Sequence, residues 1–131
     1  MASKEIQNLQ QIADQKNTCS SLAQKRERQH ERIGKRLAAG NVSGIERAIR
    51  FGELRQRVFD DWHLQTETAE ELEGILKVET EKVDQKLQGL RDLGTQDPAV
   101  NSIYTVFQVE FDAFRSGQAV AVAVPTQETE P

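Results

Sequence analysis

The chain has 131 residues, which is room for about one ordinary domain and too little for a catalytic domain joined to a regulatory one. With 37% hydrophobic residues, 29% charged residues, a formal charge of -4 and a mean hydropathy of -0.64, it suits helices that bury one stripe rather than a thick globular core. No run approaches the roughly 20 apolar residues of a membrane helix and the first residues hold no apolar signal region, so a cytoplasmic location is expected.

The first helix reads from about Ser3 to Ala39. Ile6, Leu9, Ile12, Ala13, Cys19, Leu22, Ala23, Ile33 and Leu37 recur there at three- and four-residue steps and form an amphipathic stripe. Between Ala23 and Ile33 the stripe falls on Arg26, Gln29 or His30, which bury poorly, so this end of the helix should pack loosely or need a partner. Cys19 is the only cysteine, which excludes an internal disulfide and a cysteine-based metal site.

Residues 40–44 read as a turn. Gly40 is placed to end the first helix in a left-handed conformation, and Ser43 with Glu46 matches a capping box for the next. From Ile45 to Gly94 the positions Ile45, Ala48, Ile49, Gly52, Val58 or Phe59, Trp62, Gln65, Ala69, Leu72, Leu76, Val83, Leu87 and Leu90 recur at steps of three, four or their sum, as in a coiled coil. At the α-helical rise this second helix would be roughly 75 Å long against roughly 54 Å for the first. Residues 1–94 therefore read as a long antiparallel helical hairpin with unequal arms. Either the far end of the second helix overhangs or the chain breaks near Gly74.

Asp97-Pro98 restarts the chain as an N-cap followed by proline at the first helical position. Residues 95–116 form an aromatic-rich third segment. A shorter helix would align Val100, Ile103, Phe107, Phe111 and Phe114, whereas the alternation of Phe107, Val109 and Phe111 with polar neighbours also fits a strand. Residues 117–131 read as an extended segment, Ala119 to Val124, followed by a polar tail. The expected class is thus all-α, with a strand alternative confined to the third segment.

Charge divides the chain. Residues 25–57 hold ten Lys or Arg against four Glu, a net +6, while residues 58–98 hold four against eleven Asp or Glu, a net -7. Folding at the turn gathers Arg26, Arg28, Arg32, Arg36, Arg47 and Arg50 into a basic tip. Such a tip is either a solvated face or a dock for anions: an acidic protein surface, including the acidic body of a neighbouring subunit, or nucleic-acid phosphates. The net charge of -4 and the absence of zinc-finger or aromatic RNA-binding motifs rank nucleic acid below protein.

Catalytic constellations are lacking. The nearest approach is two acid-x-x-His spacings, Glu27 with His30 and Asp60 with His63. A turn at 41–42 would pair positions whose numbers add to about 83 and leave the two motifs roughly 10 to 15 Å apart. No metal site, cofactor or catalytic residue is expected. Phe51, Phe59 and Trp62 fall on one face and suit packing against the first helix. Tyr104, Phe107, Phe111 and Phe114 exceed what a short first helix could cover, so they are expected to form a protein-contact or oligomer surface. The sequence thus points to a non-catalytic assembly or adaptor protein. It would bind itself or another protein, and a component of a virion or secretion apparatus would fit the uneven arms.

Overall fold

The computed structural model describes residues 3–128, with side chains through Gln118. Three α-helices follow one another: α1 (Lys4–Ala38), α2 (Ile45–Gly94) and α3 (Pro98–Glu128). No strand occurs among the described residues. The two long helices pack against each other as a helical hairpin, and α3 is the shortest of the three at 31 residues. α2 runs for 50 residues without interruption, so Gly74 does not break it.

Local chemistry explains each boundary. Ser3 begins α1, its Oγ accepting from the amide of Ile6 at 3.3 Å. At the far end Asn41 N donates to Arg36 O at 3.0 Å and Gly40 N to Leu37 O at 3.3 Å, the paired bonds of a Schellman motif. That closure needs a left-handed residue, which Gly40 supplies at φ 70°. The capping box expected at Ser43 does not form. Gly44, at φ 84°, precedes α2 directly and its carbonyl accepts from Ala48 N, so Ser43 lies one residue too early to reach the first free amides. Asp97 caps α3 as the sequence suggests, its Oδ1 accepting from Ala99 N at 3.0 Å.

The described chain divides into two compact units. The first takes residues up to Gln15 and from Leu72 onward, and it holds the hydrophobic core. Ile6, Leu9 and Ala13 from α1, Val83 and Leu87 from α2, and Phe107, Phe111 and Phe114 from α3 are all buried there. Leu76, Leu90 and Tyr104 pack around them. The third segment is helical because its buried phenylalanines recur at four and three residues while Val109, which a strand would bury with Phe107 and Phe111, is 64% exposed. Two hydrogen-bonded ties close the same unit: Ser3 N donates to Glu110 Oε2 at 2.8 Å, and Lys86 pairs with Glu5.

The second unit, Lys16–Glu71, is the remainder of the hairpin. Ala23 is its buried hydrophobic residue, while Ile45, Ile49, Leu54, Phe59 and Leu64 are exposed. Facing residues fall later than a symmetric turn would place them. Their numbers add to 87 for Arg26 with Asp61 and to 89 for His30 with Phe59, rather than about 83. The stagger leaves Ile45 82% exposed, because the first turns of α2 have no α1 residue opposite.

One further expectation gives way. The segment from residue 117 was expected to be extended, but α3 continues through Glu128. Ala119, Ala121 and Ala123 carry the strongest helix propensity of any residue type, and the alternation with valine does not outweigh it. The last three residues of the polar tail lie outside the described ones.

Candidate interaction surfaces

The aromatic segment is largely the floor of the first unit, not a free face. Phe111 is fully enclosed, and Phe107 and Phe114 are each 6% exposed. Tyr104 is half-buried against the same cluster. The expectation that these four residues form an exposed contact surface is therefore corrected. α3 folds back so that the N-terminal turns of α1 and the last turns of α2 cover its phenylalanines together, and the part of α2 read as an overhang is itself the surface they need. Cations seal the edges: Arg115 stacks over the Phe111 ring at 3.9 Å and Lys86 lies 5.6 Å from the Phe107 centroid.

α3 also carries a second set of apolar residues outside the buried stripe. Ile103, Val106 and Val109 are 57%, 61% and 64% exposed, and Ala99, Ser102, Ala113 and Ser116 extend the row in both directions. None of these seven positions is charged. Sequence reading assigns the apolar residues of this segment to one helix face and misses that they fill two. The detectable signal was that Val106 and Val109 lie about a quarter turn or more from the phenylalanine stripe.

The basic tip is less uniform than the sequence suggests. Arg26 is committed within the hairpin, its Nε donating to Asp61 Oδ2 at 2.6 Å and its Nη1 to Gln29 Oε1 at 3.1 Å. Both partners of the first bond are about one-third exposed, and the Arg26 hydrogen bond holds the Asp61 carboxyl below its ordinary pKa. Arg50 stands 3.9 Å from Glu46 one helical turn away. Arg55 lies across α1 at Gly34, where a Cβ would meet its Nη2 at 2.7 Å. Arg28, Arg32, Arg36 and Arg47 are exposed and form no ion pair among the described residues. Two of them border a groove of about 280 Å³ between the helices, lined by Gln29, Arg32, Ile33, Arg36, Leu54 and Val58.

The histidines pack into an aromatic cluster. His30 packs on Phe59 at 5.6 Å and on Trp62 at 6.0 Å, and His63 stacks parallel to Phe59 at 6.4 Å. The stagger of the hairpin brings the two acid-x-x-His motifs closer than a symmetric turn would. Even so, His63 Nε2 pairs with Glu67 at 2.7 Å, Asp60 accepts from Gln56, and no group of three or more metal-ligating side chains occurs among the described residues. Trp62 is half-buried and Phe59 39% exposed, so this cluster is a hairpin contact that remains open on one side.

The first unit has a second groove, of about 560 Å³, between the start of α1 and the end of α2. Leu9, Ile12 and Val83 floor it, and Glu5, Glu79, Lys82 and Lys86 stand at its rim. Lys86 bonds Glu5 across one side and holds that carboxyl below its ordinary pKa, while Lys82 Nζ stands 3.7 Å from Glu79. Its charges are thus satisfied internally. No helix among the described residues is long and apolar enough to cross a membrane. Comparison with protein-family models, with curated proteins and with solved structures returns no match.

Proposed function

We propose that this chain is a non-catalytic helical assembly or adaptor protein that works in the cytoplasm through contacts with a second copy or with another protein. A place in a larger particle, such as a virion or a secretion apparatus, suits such a role. The observation that carries the reading is the exposed apolar row of α3. Its phenylalanines are already spent on the core, yet Ile103, Val106 and Val109 stay mostly exposed. Exposed apolar side chains clustered on a small, otherwise highly charged chain, where the one carboxylate among them, Glu110, already accepts from Ser3 N, are the usual mark of a surface that another protein covers. These side chains lie outside the buried cluster of the first unit, so their place at the surface favours recognition over core packing.

The test is substitution of the row without touching the core. Ile103→Asp with Val109→Asp should leave the helix content unchanged and remove, in sedimentation velocity, the association that persists at high salt. Full retention of the wild-type species would refute the reading. Arg28, Arg32, Arg36 and Arg47, exposed and without carboxylate partners among the described residues, favour nucleic-acid binding as the alternative. On that reading Arg32→Glu with Arg36→Glu should abolish a strongly salt-dependent association with a duplex or single strand.

A further inference from the structure

We infer that the groove beside Arg32 and Arg36 receives the acidic outer face of α2 from a second copy of this chain, in a head-to-tail contact. The inference rests on the reading that the chain acts through protein contacts, but it uses a different surface from the α3 row.

The groove combines two recognition elements. Ile33, Leu54 and Val58 give it an apolar floor, and Leu54 is 42% exposed with nothing over it among the described residues. Arg32 and Arg36, one helical turn apart on α1, line its border and have no carboxylate partner there. An occupant must therefore bring acidic groups at helical spacing together with an apolar side chain. Bare phosphates match the arginines but leave the floor uncovered.

The same chain carries that complement. Further along α2, Glu67, Glu70 and Glu71 are exposed. Glu67 has only His63 beside it, and Glu70 and Glu71 form no ion pair among the described residues. Leu64, 58% exposed, sits one turn before Glu67 and supplies the apolar side chain. Both surfaces lie within the Lys16–Glu71 unit. They cannot satisfy each other in one molecule, because Val58 and Glu67 are nine residues apart on a continuous helix and so face roughly opposite directions.

That opposition fixes the kind of assembly. A two-fold dimer needs groove and acidic face to close on each other mutually, whereas opposite faces produce a heterologous contact that adds copies in one direction until a ring closes or a filament grows. Burying exposed charges of opposite sign also makes the contact sensitive to salt, since surface pairs weaken as the screening length falls.

The experiment is sedimentation velocity on the full chain between about 50 mM and about 500 mM salt, with absorbance at 260 and 280 nm. Wild type should show salt-sensitive association beyond a dimer and no nucleic acid. Arg32→Gln with Arg36→Gln should remove it, and so should Glu67→Gln with Glu70→Gln and Glu71→Gln, each with helix content unchanged by circular dichroism. Mixing the two variants leaves one working groove and one working acidic face. The mixture should regain association only as far as one extra copy, a doubling of mass. Retention of the wild-type behaviour by either variant, no salt-sensitive association in wild type, or no recovery on mixing would overturn the contact. If instead the arginine variant loses bound nucleic acid while self-association is unaffected, the groove is a phosphate site and the contact also fails. Loss of association in Ile103→Asp with Val109→Asp, with these groove variants unchanged, would overturn the contact while leaving the α3 reading standing.

Discussion

The two units of this chain are built from the same two helices and differ in what those helices have to bury. In the first, three elements contribute eight buried residues to one cluster that includes three phenylalanines. In the second, two helices face each other across Ala23, half-buried aromatics and the Arg26–Asp61 pair, and several large apolar side chains remain exposed. A hairpin alone offers each helix only one neighbour, so its stripe is covered on one side. The third helix turns the same pairing into a closed core. The contrast shows that the length of a coiled-coil pattern says where helices run but not where stability is concentrated.

Mutations should expose this difference. The largest effect is expected for Phe111→Ala, which empties the centre of the three-helix cluster and should cost about 3 to 5 kcal/mol in chemical denaturation. Trp62→Ala, in the hairpin unit, removes a side chain that is only half-buried and should cost about 1 to 2 kcal/mol. Equal losses at the two sites would abolish the distinction. Gly94→Ala tests the joint between α2 and α3. A Cβ there would stand 3.0 Å from Asn101 Cα and 3.2 Å from its amide nitrogen, so backbone must move, and a loss of about 1 to 3 kcal/mol is expected. Asp97→Ala should cost about 1 kcal/mol by leaving the Ala99 amide without its cap.

The smallest effect concerns pH. Asp61 and Glu5 are both held below their ordinary pKa, chiefly by side-chain hydrogen bonds from Arg26 and Lys86. A depressed folded pKa adds stability above the unfolded value, and that contribution disappears as pH falls through the folded one. Asp61→Asn should therefore be less stable than wild type at neutral pH, and the difference should shrink as pH falls through and below the ordinary carboxylate range. An unchanged acid limb would show that the Arg26 pair does not hold in solution.

Much of this architecture is legible in the sequence because its signals are local. Gly40, the Asp97-Pro98 pair and the stripe Ile6, Leu9, Ala13 each specify structure within a few residues, and each appears where the pattern places it. What the sequence hides is relational. The stagger of the hairpin depends on how the six residues from Ala39 to Gly44 span the turn, and it decides that Ile45 is exposed and that His30 reaches Trp62. The fate of Phe107, Phe111 and Phe114 depends on α3 folding back on two helices at once, which no periodicity within α3 reveals. The helical offset of Val106 and Val109 from the phenylalanine stripe is readable in the sequence, but that they stay exposed is seen only when α3 is packed on the other two helices.

Amide hydrogen exchange followed segment by segment is the most direct test of the contrast between a packed three-helix unit and a more open hairpin unit. At high salt, amides of residues 3–15 and 72–118 should be strongly protected and those of 16–38 and 45–71 should exchange much faster. At low salt and high protein concentration the second group should gain protection while the first stays unchanged. Uniform strong protection of both groups in the isolated chain would contradict this division of the molecule.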